Sequence, residues 1–148
     1  MKETDLHFFI DSTVNYFEEI TGYKPITGIP YLKGAEPVVL EYTGIIGISG
    51  KRKGSIYITA SGEMLQTLAG IILGTKEVGS PEIKDLIGEV ANTISGNVRQ
   101  AFGTDFMISV PVVVEGKAKD IKTPDDIQSF VIPLTWQDHK SFLIVCLE

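Results

Sequence analysis

Apolar residues recur at spacings of three and four over residues 5–21, at Leu6, Phe9, Ile10, Val14, Phe17 and Ile20, which is the pattern of one buried helix face. The helix stops at Gly22. The Lys24-Pro25 and Ile29-Pro30 steps then force extended backbone before each proline, so a connector runs to about residue 35. Residues 37–48 and 54–60 are rich in β-branched and aromatic side chains on either side of the polar, glycine-bearing stretch 49–54, which predicts a hairpin. Ser61-Gly62-Glu63 reads as the cap of a short helix carrying Met64, Leu65, Leu68, Ala69 and Ile72, ended by Gly74. In Gly79-Ser80-Pro81, Ser80 suits the cap of a further helix, Pro81 its first turn and Glu82 the positive end of its dipole. That helix runs over residues 81–102 and stops at Gly103. Residues 107–114, 128–136 and 141–147 are three more strand-like segments, the last two joined by a turn at 137–140, and the loop 116–126 is polar and charged. The order α, β, β, α, α, β, β, β predicts α+β architecture: a single domain over residues 1–148, with an antiparallel sheet of about five strands and helices packed on it.

Charge and composition narrow the partners. Thirteen basic residues against nineteen acidic give a net charge of -6 and a pI near 4.9, and no basic run exceeds Lys51-Arg52-Lys53. Affinity for nucleic acid grows with the phosphates neutralised, so no nucleic-acid partner is expected. Hydrophobic residues make up 43% of the chain and the mean hydropathy is +0.16. Even so, the longest apolar stretches, such as 142–147, are strand-sized against the roughly 20 residues a membrane span needs. The polar opening Met1-Lys2-Glu3-Thr4-Asp5 is not followed by an uninterrupted apolar leader, so the expected location is cytoplasmic, with no membrane partner. Cys146 is the only cysteine and is expected to be a small buried hydrophobe; His7 and His139 are far apart, so no metal site is expected.

The helix from residue 81 carries the candidate chemistry. At about 100° per residue, Ile83, Leu86, Ile87, Val90, Ile94, Val98 and Ala101 fall in one stripe, while Asp85, Glu89, Asn92 and Gly96 share the opposite face, with Gly88 and Arg99 at its margin. Two glycines there cost about 1 kcal/mol each relative to alanine, and such losses on an exposed face often mark function. They remove bulk, let another molecule approach the backbone and leave the Asn92 carboxamide standing clear. Glu-x-x-Asn alone is also compatible with an ordinary solvated face. The longer string Asp85-Leu86-Ile87-Gly88-Glu89-Val90-Ala91-Asn92-Thr93-Ile94-Ser95-Gly96-Asn97 is far more specific.

With that string, the chain resembles the CheC/CheX/FliY family of CheY-phosphate phosphatases, most closely the CheX branch. The opening helix leading into Gly22-Tyr23-Lys24-Pro25 and the strand before Gly62-Glu63-Met64 extend the resemblance over nearly the whole chain. It implies a CheC/CheX-like fold and a hydrolase acting on the aspartyl phosphate of a CheY-like response regulator in chemotaxis or related two-component signalling. Glu89 would dock the regulator and Asn92 would position the attacking water. Asp85 matches the residue that starts the motif, and Asp85 and Gly96 are expected to border the partner. No cofactor of its own is implied; a divalent cation, Mg, belongs to the partner's phosphorylation site. The resemblance, with the unpaired edge that long strands leave, also implies a homodimer.

The first helix carries no Glu-x-x-Asn, so one active face per chain is expected, unlike CheC-type members with two motif copies. Asn97 is expected to be a hydrogen-bonding boundary residue, His139 an exposed turn residue, and Lys51-Arg52-Lys53 a charged turn. Trp136, Phe142 and the Phe8-Phe9 pair are expected in packing roles. Two other readings remain open: a non-catalytic response-regulator binding or adaptor module using the same helix face, and a structural interaction domain assembled through a sheet edge.

Overall fold

The computed structural model describes all residues except 75–77, 105, 117–122, 124 and 125, so most of the 116–126 loop lies outside the described residues. Among the described residues, three helices, α1 (Glu3–Thr21), α2 (Gly62–Leu73) and α3 (Ser80–Phe102), accompany eight strands. These are β1 (Ile26–Thr27), β2 (Tyr31–Leu32), β3 (Tyr42–Gly50), β4 (Gly54–Ala60), β5 (Phe106–Ile108), β6 (Val112–Glu115), β7 (Ser129–Trp136) and β8 (His139–Leu147). The α+β single sheet is as expected, but it has more strands than the five anticipated. The strand order is β1-β7-β8-β4-β3-β5, with β2 also on β7 and β6 also on β3, all antiparallel.

The extra strands have local causes. Two pieces of the connector, β1 and β2, each pair with β7 across about a hundred residues of sequence, as in Ile26↔Thr135 and Tyr31↔Val131. The stretch 107–114 breaks because Ile108 pairs with Ile48 while Val112 pairs with Ile45. One residue more lies on the outer side, which makes a bulge, and Pro111 beside it has no N–H to give the ladder. Ser109 stitches the bulge to β3: its N–H donates to the Gly47 carbonyl (2.9 Å) and its hydroxyl accepts from the Gly47 N–H (2.8 Å). An extra residue reverses side-chain facing, so Val113, and not its neighbours, points toward the helices. β3 begins at Tyr42 and not at 37. Leu40 N–H donates to the Thr59 hydroxyl at 2.8 Å, and Val38 packs with Tyr57, Val131 and Ile144 on the sheet face away from the helices.

The main core lies between the helices and the other sheet face, around Phe9, Phe17, Ile46, Ile58, Leu65, Ile87, Ile94, Trp136 and Leu143. Trp136 is buried and its indole N–H donates to the Tyr23 carbonyl at 3.1 Å, tying the end of α1 to β7. Phe9 is buried, whereas Phe8 is 37% exposed and meets Phe102 edge-on at 5.3 Å. Cys146 is buried, as expected.

Two expectations are corrected in the turns. The β7–β8 connection is the two-residue turn Gln137-Asp138, both with positive φ (50° and 65°), the backbone that matches strand twist in tight hairpins. His139 therefore begins β8, is half-buried, and its Nε2 lies 3.3 Å from the Thr67 hydroxyl. Arg52 is more than a solubilising charge. It pairs with Asp5 (3.0 Å), donates from Nε to the Glu148 carbonyl (2.9 Å) and lies over the Phe102 ring at 5.3 Å, so the hairpin tip binds both chain ends.

Candidate functional site

Helix α3 sits where it does because two glycines bring it down onto the sheet. A Cβ on Gly44 of β3 would come within 2.8 Å of the Ile87 carbonyl oxygen and 3.0 Å of the Ala91 Cβ. Gly88 lies against Val113, the residue the β5–β6 bulge turns inward: a Cβ there would be 3.1 Å from the Val113 Cγ2. Gly88 is accordingly buried. It is a packing residue and not part of an open functional face; the helix projection misplaces it because projection carries no information about β6. The helix starts one residue earlier than expected, with Gly79 as N-cap and Ser80 already helical, and ends at Gly103, whose φ is 93°. Ile83, Ile87, Val90, Ala91, Ile94 and Val98 form the inner face, with Ser95 also buried and its hydroxyl unpartnered.

The outer face is as the periodicity anticipates. Asp85, Glu89 and Asn92 are exposed, and a Cβ on Gly96 would meet nothing within 4 Å. These four residues, spaced by four, three and four, share one side of a helix whose other sides are held by the sheet and by α1 and α2. Asn97, expected at the packing boundary, is exposed. Arg99 turns away from the group: its Nε donates to the Phe106 carbonyl at 2.9 Å, which fastens the end of α3 to β5. Lys84 is occupied with Glu115 at 3.4 Å. Among the described residues no group of three His, Cys, Asp or Glu side chains could hold a metal ion, and no helix is long and apolar enough to cross a membrane.

Beside Glu89 lies a feature that sequence reasoning missed. The three helices leave a groove of about 360 Å³ whose walls include Tyr16, Ile20, Ile72 and Leu73, and which shares Asp85 and Glu89 with the outer face of α3. Tyr16 is buried, and its hydroxyl is pushed up to about 12, first by burial and then by the Glu89 carboxylate beside it. A signal was present in the sequence: Ile71-Ile72-Leu73 closes α2 with three aliphatic side chains, all of them exposed, which is more than one helix face can bury.

The antiparallel sheet covered on one face by helices is a fold this chain shares with CheC-like and CheX proteins of known structure. The chain resembles a CheC-like superfamily protein from Shewanella sp. PV-4 at 27% identity, covering 100% of this chain and 99% of that one with a TM-score of 0.89. A chemotaxis protein CheX from Desulfovibrio desulfuricans matches at 28% identity over 98% and 99% of the two chains, TM-score 0.88. CheX in a CheX–CheY–BeF3–Mg complex from Borrelia burgdorferi shares the fold at 21% identity, covering 97% of each chain with a TM-score of 0.79. Comparison with curated protein sequences returned no match. The family model described as chemotaxis phosphatase CheX matches residues 42–135, more than half of the chain, and the protein belongs to that family.

Proposed function

We propose that this protein hydrolyses the aspartyl phosphate of a CheY-like response regulator, with Asn92 positioning the attacking water and Glu89 docking the regulator. The observation that carries the reading is the exposure of Glu89 and Asn92, one helical turn apart, on a face where Gly96 leaves open space, in a chain of the chemotaxis phosphatase family. An acyl phosphate is already activated, so the missing element is an oriented water. The Asn92 carboxamide oxygen accepts a hydrogen bond from that water while its NH2 donates to a phosphoryl oxygen. The water oxygen forms the new P–O bond as the bond to the regulator's aspartate breaks. The aspartate leaves as a carboxylate and the phosphate carries the oxygen and both protons of the water. Asparagine is no base at neutral pH; it fixes the line of attack, the part played by glutamine in GTPases. The divalent cation of this chemistry is the regulator's own, as the Mg in the Borrelia burgdorferi complex suggests. Asp85 and Gly96 border the docked regulator, and the reaction takes place in the cytoplasm, where such regulators act.

The test is the decay of a phosphorylated CheY-type regulator with and without the protein and with Asn92→Ala. Accelerated decay that the substitution abolishes supports the reading. A regulator that binds with no faster decay favours the adaptor reading. We also propose a homodimer, on narrower ground than long bare edges: β3 and β7 are already covered by short strands of the same chain. The remaining argument is β6, where Val112 and Val114 are 58% and 46% exposed at the sheet margin. Sedimentation of the wild type and of Val114→Lys decides it.

A further inference from the structure

We propose that the groove between the three helices receives an aliphatic or aromatic side chain of the docked regulator, from a segment that also carries a lysine or arginine. This rests on the regulator reading above and adds to it the element that selects which regulator is accepted.

The groove is apolar inside and acidic along one rim. Ile20 of α1 and Ile72 and Leu73 of α2 are 48%, 40% and 59% exposed around it, with Leu86 of α3 also lining it. Apolar side chains turned together toward an open groove gain by being covered. Glu82, Asp85 and Glu89 stand along α3 at spacings of three and four, so their carboxylates follow one side of the opening. None of the three has an ion-pair partner among the described residues. An apolar slot beside these carboxylates complements a hydrophobic side chain next to a cation and repels an acidic peptide or an anionic surface. The groove is also continuous with the candidate catalytic face, because Glu89 belongs to both. A regulator seated over Asn92 therefore covers it in the same encounter.

The test titrates the protein with a CheY-type regulator loaded with beryllofluoride and Mg, and measures kcat and KM on the phosphorylated form. Leu73→Ser is expected to raise Kd and KM about tenfold, the loss of one buried aliphatic contact. Glu82→Gln with Asp85→Asn is expected to flatten the dependence of Kd on salt. All three residues are exposed, so the fold tolerates the changes, and thermal melting confirms it. Ile29→Ser, 88% exposed and not among the residues that line the groove, serves as the unaffected control. Wild-type Kd and KM in Leu73→Ser overturn the proposal while leaving the phosphatase reading intact. If the wild type binds the regulator without speeding decay, the phosphatase reading fails and the sensitivity of Kd to Leu73→Ser still decides the groove. Absence of binding overturns both. A Leu73→Ser variant that loses self-association and keeps regulator affinity assigns the groove to a second copy of the chain, which also overturns the proposal.

Discussion

Replacing Gly96 by alanine separates two readings of a glycine in the middle of a 23-residue helix. The residue has no positive φ, so its backbone makes no special demand, and the added methyl would meet nothing within 4 Å. Helix propensity alone then predicts a stabilisation of about 0.5–1 kcal/mol, as the unfolded chain loses freedom and the helix loses none. For a domain of this size that is a rise in Tm of about 1–4 °C. Function should move the other way. Gly96 lies one turn beyond Asn92, and a methyl there holds a docked surface off the helix by a substantial part of a carbon diameter. A misplacement of about 1 Å at a water-positioning group costs on the order of a hundredfold in rate. Differential scanning calorimetry and the regulator dephosphorylation assay on one preparation measure both effects. A variant that melts higher and dephosphorylates at the wild-type rate would refute the claim that the bare position serves partner approach.

Other substitutions probe the scaffold. Gly44→Ala pushes a methyl against the Ile87 carbonyl, so α3 must lift from β3, and chemical denaturation should show a loss of about 1–3 kcal/mol. Arg52→Ala removes the Asp5 ion pair, the Glu148 hydrogen bond and the contact over Phe102, with an expected cost of about 1–2 kcal/mol at neutral pH. That cost should shrink in acid. Burial acts to raise the Asp5 carboxyl, but Arg52 and the Lys2 N–H outweigh it and hold it below its ordinary value. A depressed folded value contributes stability above the unfolded carboxylate value near 4, and the contribution is lost as pH falls through the folded value. The gap between the denaturation midpoints of the two proteins should therefore narrow below about pH 4, to what the Glu148 and Phe102 contacts contribute; a gap that does not narrow there contradicts the assignment to Asp5.

How much was legible depends on how local each cause is. Helix α3 carries its own period, a proline at its start and a glycine at its end, so its extent and its Asp85–Glu89–Asn92–Gly96 face follow from the residues alone. Gly88 lies on the same helix but its surroundings are set by Val113, which faces inward only because of a bulge next to Pro111, and no projection of α3 contains that. Strands β1 and β2 are two residues each and exist because β7, far along the chain, offers them a ladder. Gln137 and Asp138 accept positive φ without glycine, so the tight turn is hidden in the sequence and His139 reads as a turn residue, two positions outside the strand. The acidic-rimmed groove needs three helices at once, and only the surplus of aliphatic residues at 71–73 hinted at it. Arg52, within a three-residue basic run, looked like any charged turn until both chain ends were placed beside it.

The central claim is that Asn92 orients water while Glu89 holds the regulator, and the dependence of dephosphorylation on regulator concentration tests it most directly. The account predicts that Asn92→Ala still binds the beryllofluoride-loaded regulator but loses on the order of a hundredfold in kcat, whereas Glu89→Ala raises KM. An Asn92→Ala protein that keeps the wild-type kcat at saturating regulator would contradict it.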